Sequence, residues 1–199
     1  MSSPPRAEGL RERKKARTRR TIQEQALRLF AEQGYEATTV EQIAEAAEVS
    51  PSTFFRYFPT KEDVVLTDDY DPVILEALAA QPPGLAPVPA LRATMRAAFT
   101  RIPPEEERQI LARTRLQISH PTLRARTVDN MMATIDMLAR PLSERMGRDP
   151  DDPLGRTAAG AVVGAMIPAL FTWAESGGAR PMADAVDEAL ALLESGLRP

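Results

Sequence analysis

The chain has 199 residues, of which 43% are hydrophobic and 27% charged, so it is long enough and apolar enough to bury a core in one or two domains. It contains no cysteine and one histidine, which excludes disulfides and thiolate metal sites and leaves a single candidate histidine base for catalysis. The net charge of -3 conceals a basic N-terminus, since residues 1–20 carry eight Arg and Lys side chains against Glu8 and Glu12.

Apolar residues recur at helical spacing along the whole chain, and no segment alternates convincingly with period two. The sequence therefore predicts an all-α protein. The first helix is expected over residues 11–33, with Ile22, Ala26, Leu29 and Phe30 in its buried stripe and Gly34 at its end. The basic N-terminal segment lacks the apolar stretch of a secretory signal, so we expect a cytoplasmic protein.

Two short helices are predicted next. Thr39 and Gln42 have the spacing of a capping box before a helix over residues 40–47, and Ser50 with Pro51 marks the start of a third helix. Two short helices joined by a short turn have the dimensions of a helix-turn-helix, whose second helix enters the DNA major groove. A helical hairpin without this function is the alternative, and the faces of the third helix help to distinguish the two.

The third helix lies in the stretch VSPSTFFRYFPTK, which holds four of the chain's ten aromatic residues. At 100° per residue, Phe54 and Phe58 share one face, while Phe55 and Tyr57 flank Arg56 near the opposite face. Exposed rings around an arginine are hard to justify on a helix without a partner, whereas DNA offers guanine edges, thymine methyls and phosphates to them. The residues expected to contact DNA are Arg17, Thr39, Ser50, Ser52, Thr53, Phe55, Arg56, Tyr57 and Lys61.

A fourth helix is predicted from Thr60 to about Ala80, with a bend near Pro72. The segment QPPGLAPVPA, residues 81–90, cannot be helix interior because it has four prolines and a glycine. Further helices are expected at about 88–101, 104–118, 121–146, 152–176 and 181–197. His120 precedes Pro121, and we interpret this pair as the start of a helix. A hydrogen bond within a ligand pocket is the alternative role of His120.

Residues 157–174 form an uncharged run of 18 residues, near the minimum length of a membrane span. Pro168 interrupts this run, and Gly160 and Gly164 have the spacing that lets two helices approach closely. We therefore expect a tight helix contact and no membrane span.

Seven of the eight methionines lie beyond residue 90, which is typical either of a plain core or of an adaptable apolar pocket. The basic cluster of Arg113, Arg115, Arg124 and Arg126 is interpreted as solvated surface or as a site for the carboxylate or phosphates of a ligand such as a fatty acid or an acyl-CoA. The candidate pocket residues are Met95, Phe99, Ile118, Met131, Ile135, Met166, Leu170 and Trp173.

The stretch AEAAEVSPSTFFRYFPTKEDVV resembles the DNA-binding motif of the TetR family of bacterial transcriptional repressors, and the match extends over about residues 15–66. The resemblance implies a three-helix DNA-binding domain with a basic N-terminal arm, residues 1–66, joined by a fourth helix to a helical ligand-binding and dimerisation domain, residues 67–199. The basic arm is expected to contact DNA phosphates, with a solvated arm as the alternative. It also implies a homodimer and a palindromic operator. Two residues depart from the family pattern: Phe55 stands where tyrosine is usual, and Glu48 stands in a turn position often held by glycine.

Resemblance further places dimerisation on the last two long helices. The small and apolar residues that suit such a contact are Ala158, Ala161, Gly164, Ala165, Ala185, Leu190, Leu192 and Leu193. The function that the sequence predicts is a repressor that a small, hydrophobic ligand releases from its operator, with a hinge at residues 60–80. A DNA-binding regulator without an inducer and an activator remain the alternatives. We expect no enzyme activity, no cofactor and no metal, since phosphate-binding glycine loops and nucleophile–histidine pairs are lacking.

Overall fold

The computed structural model describes residues 6–67 and 70–198, with side chains from Arg11 onward. All regular secondary structure in these residues is helical, which confirms the predicted all-α fold class. One compact unit ends at Thr67, and a second covers the rest of the chain. The helices are α1 (Arg6–Gln33), α2 (Val40–Ala46), α3 (Pro51–Tyr57), α4 (Lys61–Leu66), α5 (Asp71–Ala79), α6 (Pro87–Phe99), α7 (Pro104–Ser119), α8 (Pro121–Arg145), α9 (Pro153–Glu175) and α10 (Met182–Glu194).

The first unit is a small helical domain in which α1 packs against α2 and α4, and α2 packs against α3. The predicted stripe of α1 is buried at Ile22, Ala26 and Phe30, while Leu29 is half-buried. Gly34 ends α1 with φ of +90°, a conformation that glycine adopts without steric cost. Helix α1 begins five residues earlier than predicted, at Arg6, because arginine, alanine, glutamate and leucine are strong helix formers.

The predicted fourth helix is two helices, so the expectation of one bent helix over residues 60–80 is wrong. Helix α4 ends at Leu66, Thr67 is extended, and α5 begins at Asp71 with Pro72 in its first turn. Proline lacks the N–H that a continuing helix needs but is well suited to a first turn, so Pro72 starts a helix here and does not bend one. Residues 68 and 69 lie outside the described residues.

The second unit is built around α8 and α9, with α10 packed on α9 and α6. Gly155 allows α9 to cross α8 closely, since a Cβ atom at this position would lie 2.3 Å from both the Ala139 carbonyl oxygen and Ser143 Oγ. Small residues at the crossing of two helices permit this approach, because any larger side chain would separate the backbones. Helix α10 is also tied to α6, since Arg92 donates to both carboxylate oxygens of Asp187, at 2.9 and 3.0 Å.

Three of the expected interface residues belong to the core of their own unit: Ala158, Ala185 and Leu190 are buried there. Ala161 and Gly164 are exposed on α9. The difference arises because small residues occur on both faces of α9, so composition did not show which face packs within the unit.

Helix α9 is long and apolar enough to cross a membrane, with a mean hydropathy of 1.5 over its most apolar window. The core helices of soluble proteins also meet these two criteria of length and composition.

Candidate nucleic-acid interface

The turn between α2 and α3 is a Schellman motif that fixes the angle between these two helices. The Glu48 amide donates to the Glu45 carbonyl at 3.0 Å, and the Val49 amide donates to the Ala44 carbonyl at 2.9 Å. Glu48 itself has φ of +55°, which is the left-handed conformation that this motif requires. The turn therefore keeps its geometry although a non-glycine residue occupies the left-handed position.

Helix α3 presents two faces that differ in burial. Phe54 and Phe58 have no exposed surface, and their ring centroids lie 5.9 Å apart in the core. Phe55 is 48% exposed, and its ring stands nearly perpendicular to that of Phe54, with the two ring centroids 5.5 Å apart. Arg56 is also exposed. The core thus holds α3 through two rings and leaves a third ring and a guanidinium group accessible.

Arg56 and Tyr57 lie side by side at the C-terminal end of α3. The Arg56 guanidinium carbon is 5.4 Å from the centre of the half-buried Tyr57 ring. A cation at this distance from an aromatic face is attracted to it, which orients the arginine without using its hydrogen-bond donors. The Arg56 side chain is therefore placed to donate to an acceptor outside the protein.

The predicted hydroxyl residues stabilise the helix starts. Ser50 Oγ accepts the Thr53 amide at 3.1 Å and lies 2.8 Å from Ser52 Oγ. Thr39 Oγ1 accepts the Gln42 amide at 3.3 Å in the predicted capping box. Ser50, Ser52 and Thr39 are exposed and Thr53 is half-buried. A hydroxyl that accepts a capping bond still has its own proton, so capping is compatible with donation to a phosphate.

Lys61 has a structural role that the sequence did not predict. Its ammonium group donates to the carbonyl oxygens of Tyr35 and Thr38, at 2.9 and 3.1 Å, and lies 4.2 Å from the centre of the Tyr35 ring. These bonds use two of the three donors of an ammonium group. Lys61 thus holds the loop between α1 and α2, and its predicted phosphate contact competes with this function.

Two arginines of α1 differ in their surroundings. Arg19 reaches the C-terminal end of α3, where its Nη1 donates to the Tyr57 carbonyl at 3.3 Å and its guanidinium carbon lies 4.6 Å from the Phe58 ring centre. Arg17 is exposed. At 100° per residue it projects about 160° away from Arg19, on the far side of the helix.

The eight predicted pocket residues lie in the core of the second unit. Met95 and Ile135 are buried in one apolar cluster, and Trp173 is buried in another. Phe99 and Leu170 pack against both clusters and connect them. The others are half-buried at the same clusters: Ile118, Met131 and Met166.

The basic cluster near residue 120 is not a simple solvated patch. Arg113 is only 8% exposed, and the Arg115 side chain donates from Nε to the Ala174 carbonyl at 3.2 Å, at the C-terminal end of α9. Cations stabilise helix C-termini, so Arg115 supports the fold. Arg124 remains exposed and Arg126 half-buried.

A surface groove of about 930 Å³ lies between the C-terminal half of α9 and α10 and was not predicted. Its lining includes Ala165, Pro168, Ala169, Trp173, Ala189 and Leu192. Only Trp173 is shared with the predicted pocket. Pro168 and Leu192 are exposed apolar residues on α9 and α10, and their exposure is visible only in the folded chain.

Comparison with known proteins gives matches over both units. The sequence model of the family described as "Bacterial regulatory proteins, tetR family" matches residues 22–67, and that of the "MftR C-terminal domain" matches residues 85–198. The HTH-type transcriptional regulator TcmR of Streptomyces glaucescens is 42% identical over 157 residues, which cover 75% of this chain and 70% of the relative.

Solved structures of similar fold extend the comparison to nearly the whole chain. Thermus thermophilus FadR, a TetR-family repressor in complex with lauroyl-CoA, is 27% identical with a TM-score of 0.56, covering 91% of this chain and 95% of that one. Bacillus subtilis FadR in complex with stearoyl-CoA has a TM-score of 0.61 at 20% identity, covering 89% and 98%, and supports the fold alone. The chain belongs to the TetR family of bacterial transcriptional regulators.

Proposed function

We propose that this regulator is a dimeric repressor that binds a palindromic operator through α3 and leaves it when an acyl-chain ligand binds the second unit. The observation that carries the proposal is the division of α3 into a buried face with Phe54 and Phe58 and an exposed face with Phe55 and Arg56. Exposed apolar area next to a cation is costly in water and favourable against DNA.

Within this proposal the exposed residues of α3 have different tasks. Arg56 donates to guanine O6 and N7 in the major groove, which specifies sequence. Phe55 packs on thymine methyls or sugars, and Tyr57, Ser52 and Thr53 bind phosphates or base edges. Phosphate contacts position the protein without selecting sequence, so the proposal assigns specificity mainly to Arg56.

Two copies are proposed to pair through α9 and α10. An exposed row runs along α9 at Thr157, Ala161, Gly164, Pro168 and Thr172, with the spacing of one helical face. Its side chains are small, and a Cβ atom at Gly164 would meet nothing within 4 Å. A self-complementary surface of this kind suits a four-helix contact about a two-fold axis. The apolar groove between α9 and α10 adjoins this row and would be covered in the dimer.

The proposed effector has an apolar chain that fits the connected clusters around Phe99 and Leu170. Methionine side chains there, such as Met131 and Met166, adapt to flexible ligands because their rotamers change at low cost. The relative that supports this ligand class is Thermus thermophilus FadR, in complex with lauroyl-CoA. For a ligand with a thioester-linked nucleotide, the exposed Arg124 is the proposed contact for phosphates.

Release follows if the ligand prefers a conformation in which the two α3 helices no longer match successive half-sites. Half-sites lie about one helical turn of DNA apart, or multiples of it, so a small change in spacing is sufficient. A ligand shifts such an equilibrium only by its difference in affinity for the two states. The hinge at residues 60–80 remains a prediction of the sequence.

The proposal is tested on a duplex that the protein selects from random sequence. We expect lauroyl-CoA to release the protein from this duplex, as followed by fluorescence anisotropy, while coenzyme A alone has little effect. Met131→Trp should reduce the sensitivity because it fills part of the pocket, and Met132→Trp is the matched control on the exposed side of α8. Stable DNA binding at all concentrations of acyl-CoAs and fatty acids would contradict the ligand assignment and support a regulator with another effector or none.

A further inference from the structure

The two apolar clusters of the second unit share three half-buried residues. Tyr70, Phe99 and Leu170 each pack against both clusters. Tyr70 differs from the other two because its side chain carries a polar group, and it is not among the predicted pocket residues. It directly precedes α5 and lies three residues after Thr67, where the first unit ends. The Tyr70 ring therefore joins the apolar interior to the start of α5.

A carboxylate holds the Tyr70 hydroxyl group. The hydroxyl donates at 2.6 Å to Oε1 of the half-buried Glu106, in the first turn of α7. Bonds of this length from a hydroxyl to a carboxylate are charge-assisted and about twice as strong as those between neutral groups. The neighbouring Glu107 accepts the Met182 amide at 2.6 Å, at the start of α10. The first turn of α7 is thereby fixed on both sides, and it fixes the Tyr70 ring.

A ligand that enters between the two clusters has to move a shared side chain, because a close-packed interior leaves no free space. Phe99 and Leu170 belong to the long helices α6 and α9, whereas Tyr70 stands at the end of the nine-residue α5. A residue at the end of a short helix moves at lower cost than one in a long, packed helix.

We propose that Tyr70 senses the effector. An acyl chain between the clusters displaces the Tyr70 ring, breaks its hydrogen bond to Glu106 and moves the start of α5, and the chain passes this movement on to the first unit. The inference rests on the proposed release of the repressor by an acyl-chain ligand.

The hydrogen bond stabilises the conformation without effector, so removing it should favour effector binding. Tyr70→Phe keeps the ring, and the loss of a hydrogen bond to a charged group favours the displaced conformation by about tenfold. From an initial population of about 0.1–10%, effector affinity then rises about five- to tenfold, while operator affinity without effector falls at most about twofold. A general loss of packing would instead weaken both.

Glu106→Gln changes the acceptor and leaves the ring in place. An amide oxygen accepts a weaker bond than a carboxylate, so effector affinity should rise about threefold. Glu105→Gln is the matched control, because Glu105 is exposed in the same turn and pairs with Arg108 of its own helix. The double variant Tyr70→Phe with Glu106→Gln should bind no more tightly than Tyr70→Phe alone, since both changes remove one interaction.

The experiment titrates the full-length protein with lauroyl-CoA in the absence of DNA. Trp173, the single tryptophan of the chain, belongs to one of the two clusters and reports binding by its fluorescence, and calorimetry gives the same constants independently. Operator affinity of each variant is measured by anisotropy on the selected duplex. We expect tighter binding of lauroyl-CoA by Tyr70→Phe and Glu106→Gln and unchanged binding by Glu105→Gln.

Equal affinity of the wild type and Tyr70→Phe for lauroyl-CoA would overturn the inference. So would tighter binding by Tyr70→Phe that Glu106→Gln does not share, because added apolar area and not the lost hydrogen bond would then explain it. If the wild type does not bind lauroyl-CoA, the proposed ligand class fails and this inference with it. Failure of the wild type to bind any duplex would overturn the proposed operator binding, while the titration without DNA would still decide the role of Tyr70.

Discussion

Glu48 holds the left-handed position of the turn between α2 and α3, with φ of +55°. A residue with a Cβ atom pays a steric cost there that glycine avoids. We expect Glu48→Gly to raise the free energy of unfolding by about 1 kcal/mol, measured by urea denaturation. Glu45→Gly is the control, since Glu45 lies exposed inside α2 and should lose about 1 kcal/mol. A loss of stability in Glu48→Gly would show that the Glu48 side chain stabilises the turn in another way.

Phe54 is buried and its neighbour Phe55 is exposed, so replacing each with tyrosine compares the effect of one added hydroxyl group in the two environments. Phe55→Tyr adds the group at an exposed position, where we expect roughly fivefold tighter DNA binding from one hydrogen bond to a phosphate. Phe54→Tyr adds it in the core, where an unsatisfied hydroxyl should cost about 1–3 kcal/mol of stability. Affinity is measured by anisotropy on the selected duplex. Unchanged or weaker binding by Phe55→Tyr would place that ring away from the phosphates.

At the scale of elements, the crossing of α8 and α9 depends on a glycine. A Cβ atom at Gly155 would lie 2.3 Å from the Ala139 carbonyl oxygen, so Gly155→Ala forces the helices apart and should cost about 1–3 kcal/mol. Gly160 lies on the same helix, and its Cβ would meet only Ile135 Cδ1 at 3.9 Å. Gly160→Ala should therefore stabilise the protein by about 0.5–1 kcal/mol. Urea denaturation of both variants tests this, and equal effects would refute the close crossing.

Most helices were predictable because their ends carry local signals. Thr39 and Ser50 cap α2 and α3 as expected, and the faces of α3 follow from helical periodicity alone. The break between α4 and α5 was not predictable, because Pro72 is equally compatible with a bend and with a helix start. The internal role of Lys61 also escaped prediction, since it depends on the carbonyls of Tyr35 and Thr38, which only the folded chain brings to it.

In the C-terminal half, the amino-acid composition does not show which helix faces pack against each other. The composition of α9 predicted that this helix packs tightly. Because small residues occur on several faces of α9, its composition did not distinguish the core residue Ala158 from the exposed Gly164. Likewise, the methionines predicted an apolar interior without showing the groove between α9 and α10. Both features depend on which faces meet in three dimensions.

At the scale of the whole molecule, function is proposed to require two copies joined through the exposed row of α9. Gly164→Arg places a large cation in the middle of that row, and we expect a monomer in sedimentation velocity that loses most of its operator affinity. Ala125→Arg adds the same side chain at an exposed position of α8 and should remain dimeric. A dimeric Gly164→Arg protein would show that the copies pair through another surface.

Arg56 is proposed to make α3 selective for DNA sequence, and selection from random duplexes with the wild-type protein and with Arg56→Ala measures this selectivity. We expect the wild type to enrich a palindrome with half-sites about one helical turn apart, or multiples of it, and Arg56→Ala to lose the preference at a guanine in each half while keeping the others. Selection of no common sequence by the wild type, or of the same sequence by both proteins, would rule out this role of Arg56.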